Sequence, residues 1–350
     1  MARWRKKRTA ARSGIRTAFG TGMALGVVLF LLPVVAVEPL PEKTNSGVSL
    51  PAHPVGQRAE EEDQAVGGCR DRGKAVRLSR SDGRVEELTM ADYLWGVVAA
   101  EMPASFEQEA LKAQAVAART YTVDMQGKEK HGTWQLCDDS GCCQAYVDRQ
   151  TALARWGLQA EVFEEKITRA VEETDGLGIL YQNQPIQAVF FSSAAGRTVD
   201  AVEVWGNSVD YLRGVDSPEG EEVPNYRSQV KLTAEQVRAL AAEQFPGADL
   251  SGGPEGWFSQ VERNSAGGVS RLKLGGVEVT GQQLRTLFGL RSASFEVTWD
   301  GEGFVFDVTG YGHGVGMSQY GANAMAKEGK DYEEILTWYY TGTQVGELWE

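Results

Sequence analysis

Residues 93–121 read YLWGVVAAEMPASFEQEALKAQAVAARTY, in which an apolar run ends in a lone glutamate that is closely followed by a proline. Thr89 is a suitable cap for a helix over residues 90–102. Pro103 cannot extend that helix, so Glu101 should lie at its carboxyl end. Unpaired carbonyl groups carry partial negative charge at a helix end, and the neighbouring side chains are apolar. Both effects favour the protonated carboxyl, which predicts a general acid; a surface glutamate at a frayed helix end is the alternative.

After residue 75 the chain alternates between helix and strand signals, which predicts a mixed α+β body with a candidate insertion near residues 211–301. The hairpin signals are alternating apolar residues on either side of Asp-Gly turns. The predicted hairpin strands are residues 75–78 with 84–88 and the two halves of residues 295–308, and the further strands are residues 178–181 and 185–192. The helices after the first are residues 105–125, 152–173, 233–244, 322–327 and 332–340. Ser105 is the predicted cap of the second helix, with Gln108 at the spacing of a capping box.

The amino-acid composition limits the possible partners. The chain has 350 residues, of which 42% are hydrophobic, and this is enough for one large core or two modest ones. Its formal net charge is -13, while the first 17 residues carry +7, so the remainder carries -20. An acidic body argues against a nucleic-acid partner, because phosphate binding needs a basic face.

An uncharged apolar stretch follows the basic amino end. Residues 18–37 contain no charged residue and have the length of a membrane-spanning helix. Because Lys and Arg crowd residues 1–17, the positive-inside rule places this tail in the cytoplasm and the body outside the cell membrane. A cleaved signal peptide is the alternative, and it also exports the body. Residues 38–74 are rich in Pro, Gly and charge and are predicted to be a flexible tether, which leaves residues 75–350 as the exported domain.

Residues 310–321 read GYGHGVGMSQYG and have glycine at every second position up to Gly316. The absence of side chains along one face would let a flat ligand approach the backbone closely, and a tight glycine turn is the alternative. The glycine spacing does not fit a dinucleotide-binding motif, and the stretch has no G-x-S-x-G serine nucleophile. His313 is a candidate hydrogen-bond donor or base in this stretch.

One group of residues has the donor set of a tetrahedral structural zinc site: His131, Cys137, Cys142 and Cys143. A disulfide from Cys137 to Cys142 or to Cys143 is the alternative, and Cys69 could take part in it. The adjacent Cys142 and Cys143 could pair with each other only under strain. The ligand chemistry favours zinc.

Several stretches together resemble the SpoIID/LytB family. They read YLWGVVAAEMPASFEQEALKAQAVAARTY, CCQAY, FFSSAAGRT and GYGHGVGMSQYGANAMA, and they extend from about residue 93 towards the carboxyl end. The resemblance implies a lytic transglycosylase that cuts the MurNAc–GlcNAc bond of peptidoglycan and leaves a 1,6-anhydro sugar. The glutamate of the family's A-E-M-P motif is its catalytic acid, and that position is Glu101. One carboxyl then suffices as acid and base, because the sugar's own C6 hydroxyl replaces the water nucleophile.

The resemblance implies further residues that bind the glycan. Arg119 would lie beside the catalytic acid or bind substrate, and the alternative is that it serves its helix merely as a salt-bridge partner. The family's glycine-rich motif implies that the glycan groove is lined by His313, Ser318, Gln319 and Tyr320.

The family's metal ligands match at His131, Cys137 and Cys143, whereas members of the family tend to have histidine at the position of Cys142. Cysteine can replace histidine as a zinc ligand, although it also makes a disulfide easier. The resemblance implies a structural metal, because a fully ligated zinc has no open position for water. A hydrolytic zinc centre built from the same residues is the alternative.

The resemblance also implies a cellular role. The protein would be anchored in the mother-cell membrane of a spore-forming bacterium and would remodel septal peptidoglycan during engulfment. The implied partners are the membrane protein SpoIIM and the amidase SpoIIP, which removes stem peptides and so supplies denuded glycan. Some members of the family are described as amidase enhancers, so a glycan-binding module without cutting activity is the competing hypothesis.

Overall fold

A computed structural model gives the positions of residues 69–128, 131 and 135–349. Helices and strands alternate along these ranges, which confirms the predicted α+β fold class. Of the helices in these ranges, none is both long and apolar enough to cross a membrane. The predicted tail at residues 1–17, the predicted membrane helix at residues 18–37 and most of the predicted tether at residues 38–74 lie outside the described residues.

The elements are numbered in chain order. The helices are α1 (Met90–Glu101), α2 (Gln108–Gly127), α3 (Arg149–Trp156), α4 (Ala160–Glu172), α5 (Ala201–Trp205), α6 (Ala234–Gln244), α7 (Gly281–Phe288), α8 (Gln319–Lys327) and α9 (Tyr332–Tyr339). The strands are β1 (Ala75–Ser79), β2 (Val85–Thr89), β3 (Gln135–Cys137), β4 (Leu177–Tyr181), β5 (Gln184–Pro185), β6 (Phe190–Phe191), β7 (Arg227–Thr233), β8 (Phe258–Arg263), β9 (Val269–Leu274), β10 (Val277–Thr280), β11 (Phe295–Trp299), β12 (Gly303–Thr309), β13 (Met317–Ser318) and β14 (Gln344–Glu347).

The strands form small sheets. β1 pairs antiparallel with β2 and parallel with β3, and β4 pairs antiparallel with β5 and β14. β6 and β13 pair in parallel, with Phe190 opposite Met317 and Phe191 opposite Ser318. This pairing joins the FFSSAAG stretch to the glycine-rich stretch that follows β12.

α2 lies at the centre of the larger hydrophobic core. It contacts α1, α4, α8, α9 and β4, and alanines such as Ala113, Ala115 and Ala117 are fully buried. Small side chains let neighbouring backbones approach closely, so one helix can be enclosed on several sides. Two threonines of this buried helix, Thr120 and Thr122, satisfy their hydroxyl groups by donating to carbonyls one turn earlier.

The predicted start of α1 is confirmed. The hydroxyl oxygen of Thr89 accepts a hydrogen bond from Asp92 N at 3.1 Å, which satisfies one of the free amides of the first turn. β1 and β2 form the predicted hairpin directly before this cap, with Ala75 opposite Thr89. The helix then runs without a break to Glu101.

The predicted cap of α2 at Ser105 is wrong. The helix begins at Gln108, and the preceding residue, Glu107, makes no side-chain cap. Glu107 N instead donates to Asn323 Oδ1 on α8 at 2.8 Å. Phe106 is buried in the core, so the chain turns before the helix can start. A contact between distant segments has therefore replaced the local cap.

The predicted helix at residues 152–173 is interrupted. α3 ends at Trp156 and α4 begins at Ala160, with a short 3-10 turn between them. Gly157 has a φ of +53°, a left-handed conformation that ends a helix. The strand predicted at residues 185–192 is also divided, and only its ends are paired, as β5 and β6.

The segment from β7 to β12 builds a second hydrophobic core, whose buried residues include Trp257, Phe304 and Phe306. β11, β12 and β7 form one antiparallel sheet, and β10, β9 and β8 form another. Capping boxes at Thr233 and Thr280 begin α6 and α7, which contact these sheets. The segment overlaps the candidate insertion predicted near residues 211–301.

A buried ion pair fixes the first described residues to α2. Arg119 Nη2 lies 2.6 Å from Asp71 Oδ2, and both side chains are fully buried. Arg119 Nη1 also donates to Leu177 O at 3.0 Å. Residues 70–73, predicted as part of the tether, form a 3-10 turn because this ion pair holds Asp71 in the core.

Candidate active site

Glu101 is the last residue of α1, and its side chain is half-buried. Ala145 N donates to Glu101 Oε1 at 2.6 Å. The side-chain amide of Gln319 also hydrogen-bonds the carboxyl group. The end of α1, the loop after β3 and the start of α8 therefore meet at this carboxyl.

Burial raises the pKa of Glu101 from the ordinary 4.5 to about 7. The hydrogen bonds from Ala145 and Gln319 act in the opposite direction, because they stabilise the ionised form, but burial dominates. Within the described ranges no charged side chain is among the causes of the shift. A carboxyl with a pKa near 7 can donate a proton and take one back in the same reaction.

Gln319, the first residue of α8, links the carboxyl to α2. Its Nε2 donates to Gln114 Oε1 at 3.3 Å. Gln114 is fully buried, and its own Nε2 has no hydrogen-bond partner in the part of the chain that the structure describes. The structure places Gln319 at Glu101, and it adds Gln114, which the sequence did not single out.

Tyr320 follows Gln319 and stays partly exposed. Its ring packs edge-on against Phe106, with 4.9 Å between the ring centroids and 72° between the ring planes. Its backbone N donates to Ser192 O at 3.0 Å. Tyr320 is therefore held between the turn that follows α1 and the FFSSAAG stretch, on the same helical turn as the residue that contacts Glu101.

The alternating glycines pack against other residues of the protein. Gly310, Gly312, Gly314 and Gly316 all have φ values between +75° and +122°. A Cβ on Gly310 would lie 2.7 Å from Ser193 O, and one on Gly316 would lie 2.1 Å from Val189 O. The glycines are needed for left-handed backbone and for close packing on residues 189–199, which favours the glycine-turn interpretation over a ligand-binding backbone face.

His313 is held by its neighbours in a neutral state. Its Nδ1 accepts from Val315 N at 3.2 Å, and its Nε2 lies 3.1 Å from Phe190 O, to which it donates as a neutral ring. Burial, together with the charge of Arg285, lowers the pKa of His313 to about 4. The imidazole therefore carries no charge at pH 7 and supplies no second acid.

Trp205 is an exposed aromatic residue beside this histidine. It ends the short helix α5 and is 43% exposed, and its ring centroid lies 5.7 Å from that of His313. A tryptophan in this position offers a flat apolar face and an N–H donor to a ligand. Trp205 is not among the residues predicted from the sequence, where a single tryptophan before Gly206 is a weak signal.

Two of the predicted substrate-binding residues are fully buried: Ser318 and Arg119. Ser318 Oγ accepts from Gly321 N at 3.3 Å as the cap of α8, and it donates to Glu219. The guanidinium group of Arg119 is committed to Asp71. Neither side chain presents a surface to a glycan, and both hold the scaffold of the site together.

The predicted metal ligands lie together. The ligand atoms of His131, Cys137, Cys142 and Cys143 are all within 4.8 Å of one another. His131 Nε2 lies 3.3 Å from Cys142 Sγ and 3.4 Å from Cys143 Sγ. Cys137 carries a free thiol, so neither of the disulfides from Cys137 that were the alternative to zinc is formed. One imidazole and three sulfur atoms at these distances fit a tetrahedral metal site, so this cluster can hold a metal.

A short loop connects the metal cluster to the acid. Ala145, whose N–H reaches the carboxyl of Glu101, follows Cys143 by two residues. The intervening Gln144 is buried, and its Nε2 donates to Tyr93 OH at 3.2 Å and to Thr122 Oγ1 at 3.1 Å. The cluster and these two hydrogen bonds hold the residues directly before the Ala145 amide.

Comparison with known proteins agrees with the resemblance found in the sequence. The family model described as Stage II sporulation protein matches residues 79–181. Stage II sporulation protein D of Bacillus subtilis (strain 168) is 33% identical over 327 residues, which cover 92% of this chain and 94% of that protein. The chain belongs to the SpoIID family. Stage II sporulation protein D of Bacillus amyloliquefaciens is 34% identical over 331 residues, with the same 92% and 94% coverage.

A further relative has a different name, and less than half of its length matches this chain. The amidase enhancer of Bacillus subtilis (strain 168) is 30% identical over 298 residues, which cover 71% of this chain and 40% of that protein. The shared family therefore includes proteins named for sporulation and a protein named for stimulating an amidase.

The crowding of the glycine face leads to a prediction for stability. Gly316 and Gly329 both have positive φ, but only a Cβ on Gly316 would clash, whereas a Cβ on Gly329 meets nothing within 4 Å. Gly329→Ala should lower the free energy of unfolding by about 1 kcal/mol through backbone strain alone. Gly316→Ala should lower it by at least ~3 kcal/mol. Urea unfolding of the two variants measures the difference, and equal losses would contradict the packing against Val189.

Proposed function

We propose that this chain is a lytic transglycosylase that cuts the MurNAc–GlcNAc bonds of peptidoglycan, preferably in glycan strands without stem peptides. The observation that carries the proposal is the single half-buried carboxyl of Glu101, whose pKa burial raises to about 7. Membership of the SpoIID family supports the proposal, because a sporulating cell remodels its cell wall and needs enzymes that cut it.

The reaction needs one group that first gives and then takes a proton. Protonated Glu101 donates its proton to the glycosidic oxygen as the bond from C1 of MurNAc breaks. The resulting carboxylate then accepts the proton of the C6 hydroxyl of the same sugar while that oxygen bonds to C1. The product is the 1,6-anhydro sugar, and Glu101 is protonated again. Since the protonated acid starts the reaction, the rate should fall as the pH rises through about 7.

The surroundings of Glu101 suit a reaction without a water nucleophile. Ordinary glycosidases use a second carboxylate that either activates water or attacks the sugar. In the described ranges, the groups that shift the pKa of Glu101 besides burial are Ala145 N–H and the Gln319 amide, and neither is a base. The C6 hydroxyl of the substrate removes the need for one.

Binding of the glycan strand is assigned to two partly exposed aromatic residues, Tyr320 beside Gln319 and Trp205 beside His313. Both offer an apolar ring face on which a sugar can pack. His313 supports Trp205 as a neutral ring. The buried Ser318 is given no direct contact with the sugar.

The cellular part of the proposal follows the family. The enzyme would act in a sporulating cell on septal peptidoglycan during engulfment, held in the mother-cell membrane by residues 18–37. Its partners would be the membrane protein SpoIIM and the amidase SpoIIP, which would supply denuded glycan. These assignments rest on the resemblance alone.

Zinc is the metal proposed for the cluster of His131, Cys137, Cys142 and Cys143, because three thiolates and one imidazole are a zinc donor set. The four protein ligands leave no position for water, so the proposed role is structural. By holding the loop that carries Ala145, the metal would keep the backbone N–H directed at Glu101. No chemical step is assigned to it.

The reaction is tested by the products that purified variants form from peptide-stripped glycan strands. Glu101→Gln keeps the shape of the side chain but has no proton to give, and it should lower the formation of anhydro-ended products at least ~100-fold. Glu161→Gln, which changes an exposed glutamate on α4, should leave the rate unchanged. Mass spectrometry identifies the anhydro end.

A glycan-binding amidase enhancer is the second candidate function, and similarity to the Bacillus subtilis amidase enhancer favours it. In that case Glu101→Gln would bind glycan and stimulate an amidase as well as the wild-type protein does. No anhydro product would appear from either protein. This outcome would remove Glu101 from the mechanism.

The metal assignment predicts that zinc content and stability fall together. Cys137→Ser removes one ligand. It should lower the zinc content below one ion per chain and lower Tm by roughly 10 °C. Cys69→Ser is the matched control, because Cys69 lies outside the cluster and its thiol donates to Asp175 instead. Elemental analysis and thermal unfolding are the measurements. Loss of activity on chelation without a change in Tm would support a hydrolytic zinc centre instead.

A further inference from the structure

A buried carboxylate, that of Glu219, lies behind the start of α8, and the proposed reaction does not use it. Glu219 is 3% exposed and belongs to the loop between α5 and β7. It accepts hydrogen bonds from Ala194 N at 2.6 Å and from Ser217 Oγ at 2.6 Å, and also from Ser318 Oγ. These donors are all neutral. A buried charge is costly unless its hydrogen bonds are satisfied, so this acid depends on the donors being in place.

The donors belong to segments that are distant in sequence. Ala194 lies in the FFSSAAG stretch after β6, and Ser318 is the cap of α8. Ser217 Oγ lies 2.6 Å from Tyr339 OH on α9, which continues the network. One carboxylate therefore ties the amino end of α8 to the strand that faces the glycines and to the carboxyl-terminal helix.

The packing around Glu219 leaves little space for movement. A Cβ on Gly321, in the first turn of α8, would lie 2.6 Å from Glu219 Oε2 and 2.1 Å from Tyr339 OH. Glycine at this position lets the helix start directly on the carboxylate. The next residue after Ser318 is Gln319, whose side chain hydrogen-bonds Glu101. Gln319 thus directly follows the residue that contacts Glu219, and this contact helps to set the position of the Gln319 amide.

We propose that Glu219 is a positioning residue of the proposed reaction: it locks the amino end of α8 onto residues 192–194 and so holds the Gln319 amide against Glu101. This inference rests on the proposed function for its importance to catalysis, but the positioning can be tested without any reaction. A merely structural role would lower stability and leave the behaviour of Glu101 unchanged.

Glu219→Gln is the decisive variant. It keeps the size of the side chain, but its NH₂ group cannot accept the hydrogen bonds that one carboxylate oxygen of Glu219 accepts. The start of α8 should therefore shift. The hydrogen bond from Gln319 lowers the pKa of Glu101, and its loss should therefore raise that pKa above about 7. In the glycan reaction kcat, compared at a pH below both pKa values, should fall about tenfold, equivalent to ~1.4 kcal/mol, because the carboxyl is no longer held in its place, with KM changed less than about twofold.

Two further variants separate positioning from simple destabilisation. Gln319→Ala should raise the pKa of Glu101 in the same direction, and the double variant should show no further shift, because both changes remove the same contact. Glu221→Gln, which alters a nearby exposed carboxylate paired with Arg227, should have no effect on the titration or on kcat. If Glu219→Gln does not fold, Glu219→Asp, which shortens the reach to the donors, should give a smaller shift in the same direction.

The outcomes distinguish this inference from the proposed function. The pKa of Glu101 is measured by NMR titration of the protein without substrate. An unchanged titration in the folded Glu219 variant, or shifts that add fully in the double variant, would overturn the positioning role. A wild-type protein that forms no anhydro product would overturn the proposed function, while the titration would still decide the role of Glu219.

Discussion

The site depends on keeping one carboxyl group partly out of water at the end of α1. Burial raises the pKa of Glu101 to about 7, and the hydrogen bonds from Ala145 and Gln319 reduce that rise without cancelling it. Because folding raises this pKa above its ordinary value of 4.5, protonation favours the folded state. This contribution is complete below about pH 4.5 and is lost as the pH rises through about 7. Near neutral pH the free energy of unfolding is thus smaller than in acid, because the fold keeps a proton on a group that would be ionised in the unfolded chain.

The rest of the structure supports this carboxyl from outside. The cluster of His131 with the nearby cysteines ends in the loop that delivers Ala145 N–H, and the glycine-rich stretch leads through β13 into the helix that delivers Gln319. The close contacts of the glycines with residues 189–199 and the buried Glu219 fix that helix at its first residue. The metal cluster and the glycine-rich stretch therefore act on the same carboxyl from different directions.

Local signals in the sequence were sufficient for several of these features. The cap at Thr89 and the proline after Glu101 predicted α1 almost to the residue, because both act on neighbouring backbone groups. The clustered metal ligands were predictable because thiol and imidazole side chains lie close in sequence. The family resemblance singled out Glu101 as the proposed acid and Gln319 as a residue of the proposed glycan groove.

Features set by distant segments were not predictable in this way. Ser105 had the spacing of a cap, but Glu107 N, directly before α2, donates to Asn323 of α8 instead. Arg119 was expected to bind substrate, yet its partner Asp71 lies in a segment that composition assigned to the tether. Glu219 and Trp205 carried no motif. The most direct test of the account is NMR titration of Glu101 in the wild-type chain without substrate: a pKa near 7 is predicted. The ordinary value of 4.5 would contradict it.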